Sequence, residues 1–538
     1  MTERTEAPST DRVGTWTPLR RPAFRALWIA SATSQLGTWM QTVGAQWFLT
    51  ERDASATLIA MVQTATSLPV LLLALPVGAL ADLLDRRRIL IGSSAAACLV
   101  ATVMTVLTGA GLLSPYGLLA LTALLGTTQA VLMPTWQAVQ PDLVTRAELP
   151  AAAALGGISI NAGRAIGPAI GGVLVAAGGP QWVFGLNALS FVLVTVAVWR
   201  RAPRADPIRR EMERVGGAMR VGLGYVRHAP VFRRILLRAL FWSAPATALW
   251  ALLPVVAVQR LGLGSGGYGL LLGALGAGAV AGAVFLGRVD LRRRPNRLLA
   301  GSSLLYAGVL ALLAVTRSPW LAGAALLLAG GCWLAVLSTL NALAQLVVPG
   351  WVRARGLAAY TVVFFAGQSL GGVLWGVAAD LTSLPVALLL AAALLAAAGL
   401  SVVRWGLHDS AAIDPTPSPP VWPEPNLVLQ ADPDDGPVLV MSEYTVEPDR
   451  AEQFVAAMAR VGRSRQRTGG RSWSLFQDGA VPNRFVETYL VPSWSEHLRQ
   501  HSERLTVTDV RIEQEATALA SGPPVVSHLF VPVSPQAR

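Results

Sequence analysis

Twelve mostly apolar runs, each about 20 residues long, partition most of the 538-residue chain and fix its class. They lie near 24–49, 58–81, 89–111, 116–138, 151–177, 181–199, 234–257, 268–287, 298–315, 319–344, 356–379 and 384–404. A helix of about 20 residues crosses the hydrocarbon core of a bilayer. Lipid offers the backbone no hydrogen bonds, so each run must satisfy its own amides as an α-helix. The expected fold is an all-α membrane protein of twelve transmembrane helices, followed by a small soluble domain. Composition agrees: 53% of residues are hydrophobic and 14% charged, where soluble domains carry about a quarter charged residues.

The net charge is +12, and the basic residues are all arginine. In a soluble protein that balance would suggest nucleic acid. Here the arginines sit between apolar runs, which is a matter of topology, so no nucleic-acid partner is expected. One set of loops holds Arg20, Arg21, Arg25, Arg86, Arg87, Arg88, Arg146, the arginines from Arg200 to Arg234, Arg292–Arg294, Arg353, Arg355 and Arg404. The alternate set holds little beyond Arg52, Arg260 and Arg317. The bias and the even number of runs put both termini in the cytoplasm. The polar start of the chain does not read as a removable signal peptide. Cys98 and Cys332 lie far apart inside apolar runs and read as small buried hydrophobes, not as a disulfide or a metal site. No phosphate-binding loop is present, and no cofactor or metal is expected.

The fifth run contains Asn161-Ala-Gly-Arg-Ala-Ile-Gly-Pro-Ala-Ile-Gly-Gly172. Gly163, Gly167 and Gly171 recur every four residues and share a helix face, where small residues let helix backbones approach closely. Pro168 removes a backbone donor and can bend the helix. Arg164 is a charge at membrane depth, so it needs a partner, a wet cavity or a function. Close packing, a bend and a buried charge in one helix suit a moving transporter. The stretch resembles the antiporter motif on the fifth helix of exporters in the major facilitator superfamily. The chain also repeats. Gln137 to Pro141 before the fifth run matches Gln345 to Pro349 before the eleventh, and Ala162-Gly163-Arg164 echoes Ala366-Gly367-Gln368. Two related halves of six spans are what that superfamily uses.

Between the second and third runs stands Gly78-Ala-Leu-Ala-Asp82-Leu-Leu-Asp85-Arg86-Arg87-Arg88, which resembles the superfamily's signature loop. An aspartate there can pair with a helix N-terminus or an arginine of another span, closing one gate. A plain charged loop obeying the positive-inside rule is the alternative. Leu83 and Asp85 depart from the pattern, and the fourth run lacks the arginine that many such exporters use in proton coupling. The gating set is Gly78, Asp82, Arg86, Arg87, Arg88, Gly163, Gly167, Pro168, Gly171 and Gly172.

Amides inside apolar runs must face other helices or water. Gln35, Trp39, Thr42 and Gln46 share one face of the first run. Gln129, Met133 and Gln137 do so in the fourth, and Ser338, Asn341 and Gln345 in the tenth. Asn161 and Arg164 belong to the fifth run, and Tyr360, Phe364 and Gln368 to the eleventh. Interhelical hydrogen bonding accounts for any one of them. As a set, Gln35, Trp39, Gln46, Gln129, Gln137, Asn161, Arg164, Asn341, Gln345 and Gln368 read as the lining of a central cavity. Amides, aromatics and one arginine suit a bulky, partly polar small molecule, anions included.

After Arg404 the composition changes. Pro415, Pro417, Pro419, Pro420, Pro423 and Pro425 mark a stiff linker. Val438–Val446 alternates like a strand, and Ala451, Phe454, Val455, Met458 and Val461 form a helical stripe. Strands at 472–477 and 484–491, a helix over 493–520 broken near 506–508, and a last strand at 525–531 complete a β-α-β-β-α-β, ferredoxin-like order. His497 and His501 share a helix face one turn after Trp494. Two histidines alone make a poor metal site, so a surface or interface role ranks ahead of a proton relay or metal pair. The segment from Arg484 to Arg504 is similar to the tail of the transmembrane secretion effectors, a major facilitator family of exporters. The tail also resembles the dimeric fold of antibiotic-biosynthesis monooxygenases, which allows a homodimer.

The expected organisation is an N-terminal tail at 1–22, six-helix halves at 23–200 and 234–407 joined by a basic loop at 201–233, a linker at 408–436 and a soluble domain at 437–538. The expected function is export of a drug, siderophore or secreted metabolite across a bacterial cytoplasmic membrane. Proton antiport is implied by the resemblance. A membrane-held enzyme or sensor acting through the tail, and a lipid flippase, are the other readings.

Overall fold

The computed structural model describes residues 14–83, 85–202, 224–286, 295–407, 414–418, 432 and 436–531, without the side chains of 74–83, 138 and 354. Most of the 201–233 loop and 408–436 linker, and the side chain of Asp82, therefore lie outside the described residues.

Twelve long helices occupy the twelve apolar runs among the described residues. They are α1 (Pro22–Thr50), α2 (Ala56–Leu83), α3 (Arg86–Gly109), α4 (Pro115–Leu143), α5 (Leu149–Gly178), α6 (Pro180–Arg201), α7 (Pro230–Gln259), α8 (Ser265–Leu286), α9 (Pro295–Val315), α10 (Pro319–Val347), α11 (Arg353–Leu381) and α12 (Leu384–Arg404). Eleven are long and apolar enough to cross a membrane; the exception, α1, carries Gln35, Gln41 and Gln46. Pro22, Pro115 and Pro180 open their helices at positions where a missing N–H costs nothing. Gly179, at φ 84°, closes α5 in a conformation that favours glycine.

The chain forms two compact units. The first comprises Met1–Arg210, Ala239–Ser338 and Thr361–Arg404. Within it α5 packs on α1 and on α8, α2 on α4, α3 on α6 and α9 on α12. Glycine makes the α5 contacts possible. A Cβ on Gly167 would stand 2.8 Å from the Trp39 Cβ on α1, and one on Gly172 would stand 2.7 Å from the Ser265 carbonyl oxygen on α8. The outer faces of these helices stay apolar, as lipid requires: Leu99 and Val106 are exposed.

The second unit comprises Glu211–Arg238, Thr339–Tyr360 and Trp405–Arg538. Its regular core is β1 (Val438–Thr445), α13 (Ala451–Thr468), β2 (Arg471–Gln477), β3 (Arg484–Val491), α14 (Trp494–Arg499), α15 (Val507–Thr517) and β4 (Val525–Phe530). The strands form one antiparallel sheet of order β2-β3-β1-β4, with Val438 opposite both Val491 and Phe530. This is the element order read from the sequence. The helix expected over 493–520 is interrupted by a wide turn at Gln500–Arg504 and restarts where Thr506 and Asp509 form a capping box. Phe454, Met458 and Val461 of α13 pack on Tyr444, Val446 and Phe485.

An ionic network is buried in this core. Glu487, fully buried, accepts from Trp473 Nε1 at 2.9 Å and Tyr444 OH at 3.2 Å, and faces Arg465 Nε at 3.4 Å. Arg465 also pairs with Glu513. Arg465 is thus shared by two carboxylates, and every ionised group has an ionic partner, which such burial requires.

Candidate functional site

Arg164 projects from the middle of α5, and its guanidinium carbon lies 5.1 Å from the Trp39 ring centroid on α1. Cation–π attraction of this kind is worth about 0.5–2 kcal/mol. Its Nε is buried and has no hydrogen-bond partner among the described residues. From Trp39 a row of rings runs into the other six-helix half. Trp250 lies 5.6 Å from Trp39, Trp333 5.4 Å from Trp250, and Trp242 5.0 Å from Trp333. Phe364 stands edge-on to Trp333 at 6.2 Å. The indole N–H groups of Trp242, Trp250 and Trp333 are buried and likewise lack partners among the described residues. A buried unmet donor costs about 1–3 kcal/mol. Four such donors lie along one cation-and-indole row.

Polar contacts tie the halves together toward the end opposite the arginine-rich loops. Gln46 is almost fully buried; it donates to the Trp250 carbonyl at 3.0 Å and accepts from Tyr268 OH. Trp47 stacks on Tyr268 at 6.0 Å. Gln63 on α2 donates to Gln368 on α11 at 3.2 Å, and Ser67 meets Ser369 at 2.8 Å. At the last turn of α11, Asp380 accepts from the backbone N–H of Ala56 and of Thr57, both at 2.9 Å. A carboxylate there satisfies orphan amides and faces the positive end of the α2 dipole.

The remaining cavity candidates are placed as follows. Gln35 packs its backbone on Gly163. Gln129 lines a small cavity of about 40 Å³ inside the first half, with Thr42, Gln41 and Asn187. Gln137 is exposed. Asn161 donates to the Gly157 carbonyl of its own helix at 2.9 Å. Asn341 and Gln345 belong to the second unit and bond each other at 2.6 Å. Among the gating candidates, Arg86 pairs with Asp142 at 3.7 Å, Arg87 donates to the Trp199 carbonyl, and Arg88 pairs with Asp85 at 3.6 Å. Those contacts stay within the N-terminal half. Asp85 also caps α3 by accepting from Arg87 N.

Sequence reasoning passed over Trp242, Trp250, Trp333, Tyr268 and Asp380. One signal was available: the three tryptophans sit inside their runs, whereas membrane tryptophans usually gather at the interfaces.

In the second unit His497 Nε2 lies 2.9 Å from His528 Nε2, and the His497 and His501 rings are 4.6 Å apart. Burial, then the neighbouring histidines and Arg465, pushes His497 down to about 2; burial and Arg465 push His501 to about 3. No group of three or more histidines, cysteines or carboxylates suited to a metal ion is found among the described residues.

Known proteins resemble the chain in sequence and in fold. The staphyloferrin A transporter of Staphylococcus aureus is 28% identical over 222 residues, 41% of this chain and 56% of the relative. The enterobactin exporter of Salmonella typhimurium is 28% identical over 244 residues, 44% of this chain and 57% of the relative. The chain thus spans a little over half the length of these curated relatives. Among solved structures, a mutant of the nucleoside transporter NupG matches with a TM-score of 0.58 at 11% identity, covering 71% of this chain and 100% of that one. A bacterial homolog of the human lysosomal transporter Spinster, inward-facing and occupied, matches with a TM-score of 0.56 at 15% identity, covering 73% and 98%. These likenesses establish the transporter fold. The pattern of the transmembrane secretion effectors covers residues 13–536, and the chain is a multi-pass membrane protein belonging to that family.

Proposed function

We propose that this protein is a secondary exporter of the bacterial cytoplasmic membrane, with both termini cytoplasmic, that expels an anionic, ring-bearing small molecule by alternating access. The observation that carries this reading is the row from Arg164 through Trp39 to Trp250, Trp333 and Trp242, built from both halves and holding four unmet donors. A carboxylate, phenolate or hydroxamate would accept from those donors, and its rings would stack on the indoles. The names of the curated relatives, an enterobactin exporter and a staphyloferrin A transporter, support a cargo of the siderophore class.

In this reading the two ends close alternately around that row. Gln46 and Asp380 serve the outer end, and Gly78, Asp82 and Arg86–Arg88 the cytoplasmic end. Gly172 of α5 lies on the seam with α8 along which the halves tilt, while Gly163, Gly167 and Gly171 seat α5 on α1. In this reading the driving force is proton antiport, and release of the Asp380 contact with the α2 terminus opens the outer end.

The test is energised efflux of a panel of dyes, antibiotics and siderophores, from cells with the wild type or Arg164→Ala, with and without a protonophore. The reading expects at least one anionic aromatic compound to leave faster with the wild type, and both the protonophore and the substitution to abolish the gain. Efflux that ignores both, with the variant present in the membrane, would count against it.

A further inference from the structure

The second unit contains a cavity of about 190 Å³ that the transport reading does not use. Arg460, Arg463 and Arg467 of α13 line it, and their spacing of three and four residues puts them on one helix face. Arg467 pairs with Asp509, also in the lining, and Arg460 pairs with Glu515 at 3.2 Å. Arg463 has no ion-pair or hydrogen-bond partner among the described residues. Three guanidinium groups thus meet one carboxylate in the wall. Tyr225, Phe232 and Ile512 add apolar lining.

The cavity also reaches Val347 and Pro349, in the connection from α10 to α11. That connection is gripped by its surroundings in the same unit. Tyr225 OH donates to the Val347 carbonyl at 3.2 Å, and Trp351 Nε1 donates to the Arg504 carbonyl at 3.1 Å. The Arg504 guanidinium lies 5.4 Å from the Trp351 ring centroid. An occupant would therefore touch the α10–α11 connection and α13 together.

We propose that this cavity binds a small amphipathic anion, an oxyanion group carried on one ring or a short acyl chain, and thereby strengthens the grip on the α10–α11 connection. Guanidinium groups pair with phosphate and carboxylate through short, charge-assisted bonds. The ring or chain would cover Tyr225 and Phe232. The same chemistry is offered by a soluble metabolite and by the headgroup region of an anionic phospholipid.

The experiment uses the full chain carrying Arg164→Ala, which removes the membrane-site cation, in phosphatidylcholine nanodiscs. Phenyl phosphate is titrated calorimetrically, and hydrogen exchange of 347–352 is followed. Saturable binding is expected, with slower exchange in that segment. Adding Arg460→Gln and Arg463→Gln should weaken binding about tenfold or more, the loss of one or two charge-assisted bonds. Both side chains are exposed, so the variant should keep its thermal midpoint; if it does not, Arg463→Gln alone carries the comparison. Discs containing phosphatidylglycerol separate the sources. Weaker phenyl phosphate binding there, only with the arginines intact, identifies the lipid, and unchanged binding identifies a soluble anion. No binding, or equal binding with and without the arginines, overturns the proposal. The Arg164→Ala background keeps this result independent of the transport reading.

Discussion

Asp380, on the last turn of α11, caps the first turn of α2 through Thr57 and its neighbour Ala56, with both amide-to-carboxylate distances at 2.9 Å. One side chain thereby joins helices from different halves at a single end of the bundle. A carboxylate at a helix N-terminus contributes about 0.3–1 kcal/mol when exposed to solvent. Asp380→Asn keeps one acceptor and loses the charge, so that end should open more often. A cysteine at Ala60, buried in this structure, should react several-fold faster with an impermeant thiol reagent in the Asn variant. An unchanged rate would mean that the contact holds nothing shut.

The α5–α8 seam predicts a severe effect from a small substitution. A Cβ at Gly172 meets the Ser265 carbonyl at 2.7 Å and the Gly269 Cα at 2.8 Å, and backbone atoms cannot swing aside. Gly172→Ala should cut efflux about tenfold or more while the protein still reaches the membrane, an overpacking cost of about 1–3 kcal/mol. Gly157→Ala is the control, because nothing lies within 4 Å of its Cβ. Equal loss in both would point to a general defect.

The histidine cluster predicts a pH dependence of the second unit. His497 and His501 are held neutral in the fold, at about 2 and 3, and burial also lowers His528. Below about pH 6.5 the unfolded chain takes up protons that the folded one refuses, so stability falls with pH, by about 1.4 kcal/mol per unit per histidine. The fall continues until the folded values are reached. Hydrogen exchange over 438–530 in the full chain should therefore quicken between pH 7 and 5, after correction for its intrinsic pH dependence. His497→Leu should flatten the trend.

Arg465 is the cation on which the buried carboxylates depend. In Arg465→Met, Glu487 and Glu513 lose that partner inside a core, a loss that typically costs about 3–5 kcal/mol. Thermal unfolding followed in the second unit should shift down sharply. Arg460→Met, whose ion pair is exposed, should move it little.

The twelve helices were legible because lipid demands long apolar runs and tolerates little else. The sheet order of the tail was legible from alternation in Val438–Val446 and from the helical stripe through Phe454 and Met458. Arg164 stood out as a charge inside an apolar run. Its indole neighbours did not, because a tryptophan in an apolar helix disturbs no pattern. Whether Trp39 meets Trp250 depends on which faces two distant helices turn to each other. Local choices were equally invisible: Asn161 spends its donor on Gly157 of its own helix, whereas Gln46 reaches across to Trp250 and Tyr268.

The central claim is that Arg164 and the tryptophan row carry an anionic cargo outward. Its most direct test is uptake of a radiolabelled aromatic carboxylate, chosen from the efflux panel, into inverted membrane vesicles with an imposed proton gradient. Wild type, Arg164→Lys, Arg164→Ala and Trp250→Leu would be compared at equal protein. The account predicts gradient-driven uptake by the wild type, partial uptake by Arg164→Lys, and loss of about tenfold or more in the other two. Wild-type rates in Arg164→Ala would contradict it.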